Sequence, residues 1–190
     1  MLGDGARLVH RLDRDTAGPL VVAKDARAAA KWTKLVAGKA VRKEYEAVCL
    51  GVPVDGGRER RSGKITTPIL KDGRPLPAET EFRVLADWTE DAGGQEIRLS
   101  LVRLVLGTGR THQIRIHLAS VGAPIAGDDR HGDFALNRLA RKVGIRRLQL
   151  RAARLKLPVD GGERTVEASV PPHFHIPPEV RPEGGREVER

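Results

Sequence analysis

Apolar residues along the chain follow two periods, and their order predicts strands interrupted by short helices. Gly18 to Ala23 is a brief apolar run after a polar turn and reads as a strand, with Pro19 tolerable only at its first position or on an edge. Asp25 then caps a predicted helix in which Ala28, Trp32, Leu35 and Val36 share one face, and Gly38 supplies its C-terminal stop. Tyr45, Ala47 and Cys49 lie on one face of a following strand, with Glu44 and Glu46 on the other. Val52 to Gly63 holds three glycines and a run of charges without periodicity, which reads as a loop. Alternation returns at Thr80, Phe82 and Val84 and again at Ile97, Leu99 and Leu101. Asp91-Ala92-Gly93-Gly94 between these runs predicts a hairpin connection and so an antiparallel meander.

The period changes near Thr111. Ile114, Leu118 and Val121 recur with helical spacing before Gly122, which favours a helix, although Ile114, Ile116 and Leu118 also alternate as a strand would. Phe134 to Val143 reads as a short basic helix, and Leu148 to Leu157 and Arg164 to Val170 as late strands. With 190 residues and no internal repeat, the chain fits one domain over residues 1–170. Residues 171–190, with Pro171-Pro172, Pro177-Pro178 and mixed charge, are expected to form a mobile tail.

Charge adds a partner class. The 34 Lys and Arg against 25 Asp and Glu give a net charge of +9, which favours a polyanion through phosphate neutralisation and counterion release. No apolar run approaches the roughly 20 residues that span a bilayer, and no predicted helix sets a basic face against a bulky apolar one, so no membrane role is expected. The N-terminus lacks a charged segment followed by an apolar one, and a cytoplasmic location is expected. Cys49, the only cysteine, excludes an internal disulfide and a Cys-based zinc site; its place between Val48 and Leu50 points to a buried structural thiol.

Two segments carry candidate chemistry. In His10-Arg11-Leu12-Asp13-Arg14-Asp15-Thr16-Ala17-Gly18, the Asp13 carboxylate stands between two arginines, where positive charge favours an ionised group able to act as nucleophile or base. The competing reading is a turn in which Asp13 or Asp15 bonds its own backbone. A glycoside-hydrolase pair of Asp13 and Asp15 is disfavoured, because sugar sites lean on aromatic platforms and only 3% of residues are aromatic. Gly107-Thr108-Gly109-Arg110-Thr111, opening a predicted helix, suits an anion through free N–H groups and the helix dipole, with a structural turn as the alternative. It lacks the Walker A spacing, and His112 and His117 are not spaced as a zinc-binding helical pair.

Together these segments resemble a known family. Residues 10–18 resemble the His-Arg-Leu-Asp-x-x-Thr-Ser-Gly signature of the RluA-type RNA pseudouridine synthases. Lys43-x-Tyr45-x-Ala47 with Gly51 is similar to their second motif, and Gly109 to Leu118 with Gly122-x-Pro124-Ile125-x-Gly127-Asp128 to their third. Residues 127–133 look closest to the branch that modifies large-subunit ribosomal RNA. Ala17, Pro19 and His131 replace the usual serine, aliphatic residue and tyrosine.

The resemblance implies an α+β fold with a mixed, mostly antiparallel sheet flanked by helices. Members of that family carry a further N-terminal part, with a strand and often an S4-like domain, that has no counterpart in this sequence, so an N-terminally truncated, partial catalytic domain is expected. The implied activity is isomerisation of specific uridines to pseudouridine in RNA, with ribosomal RNA first and transfer RNA second as partner. No cofactor and no metal are implied, and a monomer is expected. Asp13 becomes the catalytic carboxylate, Tyr45 the residue against the extruded base, and Arg115 the partner of Asp13. Arg11 would fill the space vacated by the flipped base, Ile114 would line the pocket, and Arg110 and His112 would contact the RNA backbone. The alternative is a non-catalytic RNA-binding remnant of such an enzyme.

Overall fold

The computed structural model describes residues 4–180. In chain order the elements are β1 (Arg7–Leu8), β2 (Val22–Ala23), α1 (Ala26–Ala37), β3 (Arg42–Leu50), β4 (Val54–Asp55), β5 (Arg58–Glu59), β6 (Ser62–Ile65), β7 (Ile69–Lys71) and β8 (Arg74–Leu76). Then come β9 (Thr80–Asp91), β10 (Glu96–Leu106), α2 (Gln113–Ser120), α3 (Phe134–Lys142), β11 (Leu150–Val159) and β12 (Gly162–Glu167). Six strands form one antiparallel sheet in the order β12-β11-β3-β10-β9-β6. The expected α+β class and antiparallel meander are present.

The sheet has two buried faces, which decides the character of its central strands. On one face Tyr45, Ala47 and Cys49 of β3 pack with Phe82, Val102 and Leu104 beneath Ile114 and Leu118 of α2. On the other, Val48 and Leu50 pack with Leu99, Leu101, Ala140 of α3, Phe174 and Ile176. A strand covered on both faces cannot keep a solvated polar side. Glu46, on the face opposite Tyr45, is only 2% exposed. It survives burial by accepting from Arg151 Nε and Nη2 at 3.1 and 2.6 Å, with Arg103 at 3.5 Å. Burial also pushes the Cys49 thiol pKa strongly up, as suits an inert core residue.

A β-bulge changes the face of β9 partway along. Val102 pairs with Val84 and Leu101 with Ala86, so Leu85 is the extra residue. Phe82 and Val84 therefore face α2, whereas Leu85 and Trp88 pack on the opposite core.

Local signals set several boundaries. Asp25 Oδ1 accepts from Ala28 N at 2.7 Å and starts α1, and Gly38 N donates to Lys34 O at its end. The helical reading of the segment after Thr111 holds as α2. The apolar run from Gly18 yields only the two residues of β2, paired with β1. The predicted loop at 52–63 contains the β4–β5 hairpin, whose Gly56 and Gly57 both have positive φ (56° and 75°), and the start of β6. Its strands are exposed, so no apolar alternation marked them.

The expected tail from residue 171 is corrected for 171–180. Phe174 and Ile176 are buried, and Gln149 holds this extended stretch by accepting from His175 N at 2.7 Å and donating to His173 O at 3.0 Å. A buried side-chain amide satisfies backbone that proline keeps out of a ladder. Residues 181–190 of the predicted tail lie outside the described residues. Among the described residues no helix is long and apolar enough to cross a membrane.

Candidate active site

The segment around Asp13 is a loop pinned at three places. Val9 N donates to Val21 O, Val21 N donates to His10 Nε2 at 3.1 Å, and Ala152 N of β11 donates to Ala17 O at 2.7 Å. Within it, Thr16 N donates to Asp13 O at 3.1 Å, and Asp15 adopts a left-handed φ of 67°. The turn is closed by the Asp13 backbone carbonyl and not by its side chain. Gly18 is required sterically, since at φ 144° a Cβ would come within 2.6 Å of both Ala152 Cβ and its carbonyl oxygen.

This loop, the first half of β3 and the turn after β10 enclose a cleft of about 700 Å³. Asp13, Tyr45, Arg11, Arg110 and Ile114 all line it. Tyr45 is buried, and burial together with the nearby Asp13 carboxylate pushes its phenol pKa up to about 12. Lys43, two residues away on the same face, also lines the cleft, and its half-burial lowers its pKa. The same cleft contains His10, whose pKa is lowered by burial and then by the charge of Lys43.

The Gly-Thr-Gly turn is organised from within by Gln113, buried at the start of α2. Its Oε1 accepts from Thr108 Oγ1 at 2.7 Å and Arg110 N at 3.0 Å, while its Nε2 donates to Glu79 O at 2.8 Å and Thr80 Oγ1 at 3.0 Å. Part of the turn's hydrogen-bonding capacity is therefore spent on architecture. Arg110 projects from it, exposed, with Nε on Pro77 O at 3.2 Å. His117 is scaffold, bonded to Thr80 Oγ1 and Thr67 O at 2.8 and 2.9 Å. His112 sits in a left-handed conformation (φ 54°) before α2, with Nδ1 at 2.9 Å from His131 Nε2. Burial, then Arg115, lowers the His112 pKa, and burial does the same for His131.

Arg115 departs from expectation. Its Nε and Nη2 donate to Asp128 Oδ2 and Oδ1 at 2.7 and 2.6 Å, a two-pronged pair, rather than to Asp13. The cause is topological: the Gly127-Asp128 turn packs under α2, and Asp128 is further fixed by the N–H groups of Arg130 and His131, each at 2.9 Å. Burial acts to raise the Asp128 pKa, but these four donors outweigh it and hold the carboxyl below its ordinary value. Asp13 remains within electrostatic reach, since after Asp128 it is among the charges that raise the Arg115 pKa.

Asn137 locks the same turn, accepting from Gly127 N at 2.8 Å and donating to Asp128 O at 3.0 Å. Asp128, Gln113 and Lys43 lay inside the recognised motifs without being singled out. Asn137 carried no signal, because its role exists only once α3 meets the turn. Arg115 and His112 do not line the cleft. Among the described residues no group of three or more His, Cys, Asp or Glu is placed to hold a metal ion.

A family model described as RNA pseudouridylate synthase matches residues 3–120. The chain belongs to the RNA pseudouridylate synthase family. It is 34% identical over 178 residues to "Ribosomal large subunit pseudouridine synthase C" of Vibrio cholerae, covering 89% of this chain and 52% of that protein. It is 35% identical over 179 residues to "tRNA pseudouridine synthase C" of Yersinia pestis, covering 88% and 70% respectively. The solved structure of "Human RNA Pseudouridylate Synthase Domain Containing 1" superposes with a TM-score of 0.72 at 27% identity, covering 90% of this chain and 72% of that one. The chain thus spans about half the length of the Vibrio cholerae relative.

Proposed function

We propose that this chain isomerises uridine to pseudouridine in RNA, with ribosomal RNA as substrate and Asp13 as the catalytic carboxylate. The observation that carries the reading is the placement of Asp13 beside Tyr45 in a cleft large enough for a nucleoside. In the reaction the N1–C1′ bond of uridine breaks, a C5–C1′ bond forms, C5 loses its proton and N1 gains one. The Asp13 carboxylate acts on the ribose, by attack at C1′ or by taking the 2′ proton. The base reaches the cleft only when flipped from its stack, at a cost of a few kcal/mol. Arg11, exposed at the cleft mouth, takes the vacated space.

Tyr45 stacks against the base. Burial and the Asp13 charge push its phenol pKa up to about 12, and its hydroxyl mediates loss of the C5 proton. Arg115, anchored by Asp128, holds positive charge near Asp13 from behind. Ile114 forms the apolar floor, and Arg110 and His112 meet the RNA backbone. The relatives named for ribosomal and transfer RNA support the substrate class, and the +9 charge suits it.

Tritium release from unmodified ribosomal RNA labelled at uridine C5 tests the reading. Wild-type protein releases tritium, and Asp13→Asn slows release by about a thousandfold or more with RNA affinity unchanged. Undiminished release by Asp13→Asn removes Asp13 from the mechanism, and binding without release by the wild type leaves an RNA-binding remnant. Release from transfer RNA alone reassigns the substrate.

A further inference from the structure

A second cleft borders the Asp13–Thr16 turn, and of its lining side chains the proposed uridine reaction uses only Arg115. Its volume is about 790 Å³, and Thr16 borders both clefts. Six cationic or potentially cationic side chains line it: Arg14, Arg115, Arg130, Arg146, Arg147 and His173. Asp15 and Asp129 are the acidic members, and Asp129 is already paired with Arg141 at 3.2 Å.

Several arginines elsewhere on the surface also lack a carboxylate partner, but here four such side chains converge on one concave wall. Arg61, Arg98, Arg103, Arg141, Arg151 and Arg154 each hold a carboxylate. Arg14, Arg130, Arg146 and Arg147 hold none within 4.0 Å among the described residues, and all four are exposed. Concentrated, uncompensated guanidinium charge in a concave wall is costly through self-repulsion unless an anion enters. The wall is also rigid. A Cβ on Gly127 would overlap the Arg147 carbonyl, so the Asp128 turn and the Arg146–Arg147 segment are in direct backbone contact, and Asn137 locks that turn.

We infer that this second cleft binds the phosphodiester backbone of the substrate RNA strand next to the flipped nucleotide, through Arg14, Arg130, Arg146 and Arg147. The strand crosses the Asp13–Thr16 turn, with its target base in the first cleft and neighbouring phosphates in the second. This rests on the RNA-modifying reading of the first cleft, yet its test does not require turnover. Guanidinium forks match phosphate oxygens, and such contacts position a strand without reading its sequence.

The probe is a fluorescein-labelled oligouridylate, titrated by anisotropy at several salt concentrations against the whole chain. For Arg146→Gln/Arg147→Gln, the slope of log affinity against log salt becomes shallower by about 1.4, at ~0.7 per lost phosphate contact. With the two salt lines meeting near ~1 M, its Kd at ~0.1 M salt rises about 25-fold. Arg146→Lys/Arg147→Lys keeps most of the slope, which ties the effect to charge and not to folding. Arg58→Gln/Lys71→Gln removes the same charge from the β4–β5 and β7–β8 hairpins, which border neither cleft, and leaves the slope near wild type.

An unchanged slope in the Arg146/Arg147 variant, or an equal change in the hairpin variant, overturns the proposal. Tritium release run alongside separates the two readings. A wild type that binds with the full slope but releases nothing fails the proposed function alone, whereas one that turns over with Arg146 and Arg147 irrelevant fails this inference alone.

Discussion

Asp128→Asn is expected to cost about 3 kcal/mol of stability, and the contacts say why. Oδ1 accepts from Arg115 Nη2, Arg130 N and His131 N, while Oδ2 accepts only from Arg115 Nε. An asparagine with its oxygen at the Oδ1 position keeps three of these bonds. Its amide then points donor hydrogens at Arg115 Nε, and the negative charge is gone. The pair is deeply placed, with side-chain exposures of 10% for Arg115 and 1% for Asp128, so solvent screening recovers little. Breaking a buried pair from one side typically costs ~3–5 kcal/mol, and retention of three bonds puts this substitution at the low end. Asp128→Ala, which removes every acceptor, belongs at the high end, ~5 kcal/mol.

For a domain of this size ~3 kcal/mol lowers Tm by about 6–12 °C. Urea titration followed by circular dichroism gives the free energies directly. Arg115→Met/Asp128→Asn removes both charges and should recover part of the loss, because the stranded guanidinium is the main penalty. A cost below ~1 kcal/mol for Asp128→Asn, or a double variant as damaged as the sum of its parts, refutes the account of a desolvated, mutually dependent pair.

Two further outcomes are expected. Gly18→Ala forces a Cβ against Ala152 at an unfavourable φ, so it should destabilise by at least ~2 kcal/mol in the same titration and depress tritium release by moving the Asp13 loop; wild-type behaviour on both counts would show that the loop yields freely. The pKa values of His10, His112, His117 and His131 are all lowered in the fold, first by burial, so below an unfolded value of about 6.5 the unfolded chain binds more protons and stability falls as pH falls. Tm measured from pH 7 down to 5 should therefore decline, with a shallower decline in His117→Gln, and a rise on acidification would contradict it. The depressed carboxyl of Asp128 adds its own loss only at more acid pH, below its ordinary range.

Sequence alone determined what depends on neighbours in the chain. The caps of α1, the β9–β10 hairpin, the helical period of α2 and the motifs around Asp13, Tyr45 and Arg115 follow from spacing of a few residues, where backbone geometry is local. Those motifs brought the family and its chemistry within reach, and all five cleft-lining candidates came from them. Tertiary structure decided the pairings. Arg115 had two aspartates to choose from, and only the packing of the Gly127 turn under α2 gave it Asp128. Alternation places Glu46 only on the face opposite Tyr45, and it is β10 and β11 closing on both sides of β3 that bury it and leave Arg151 as its partner. The segment around Phe174 looked too rich in proline to order, and it is ordered because Gln149, distant in sequence, satisfies its backbone. The second basic cleft unites residues from five separate stretches of chain. Burial and charge partnership are properties of which segments meet, and that depends on register, a bulge and the covering of two sheet faces, none of which a local pattern encodes.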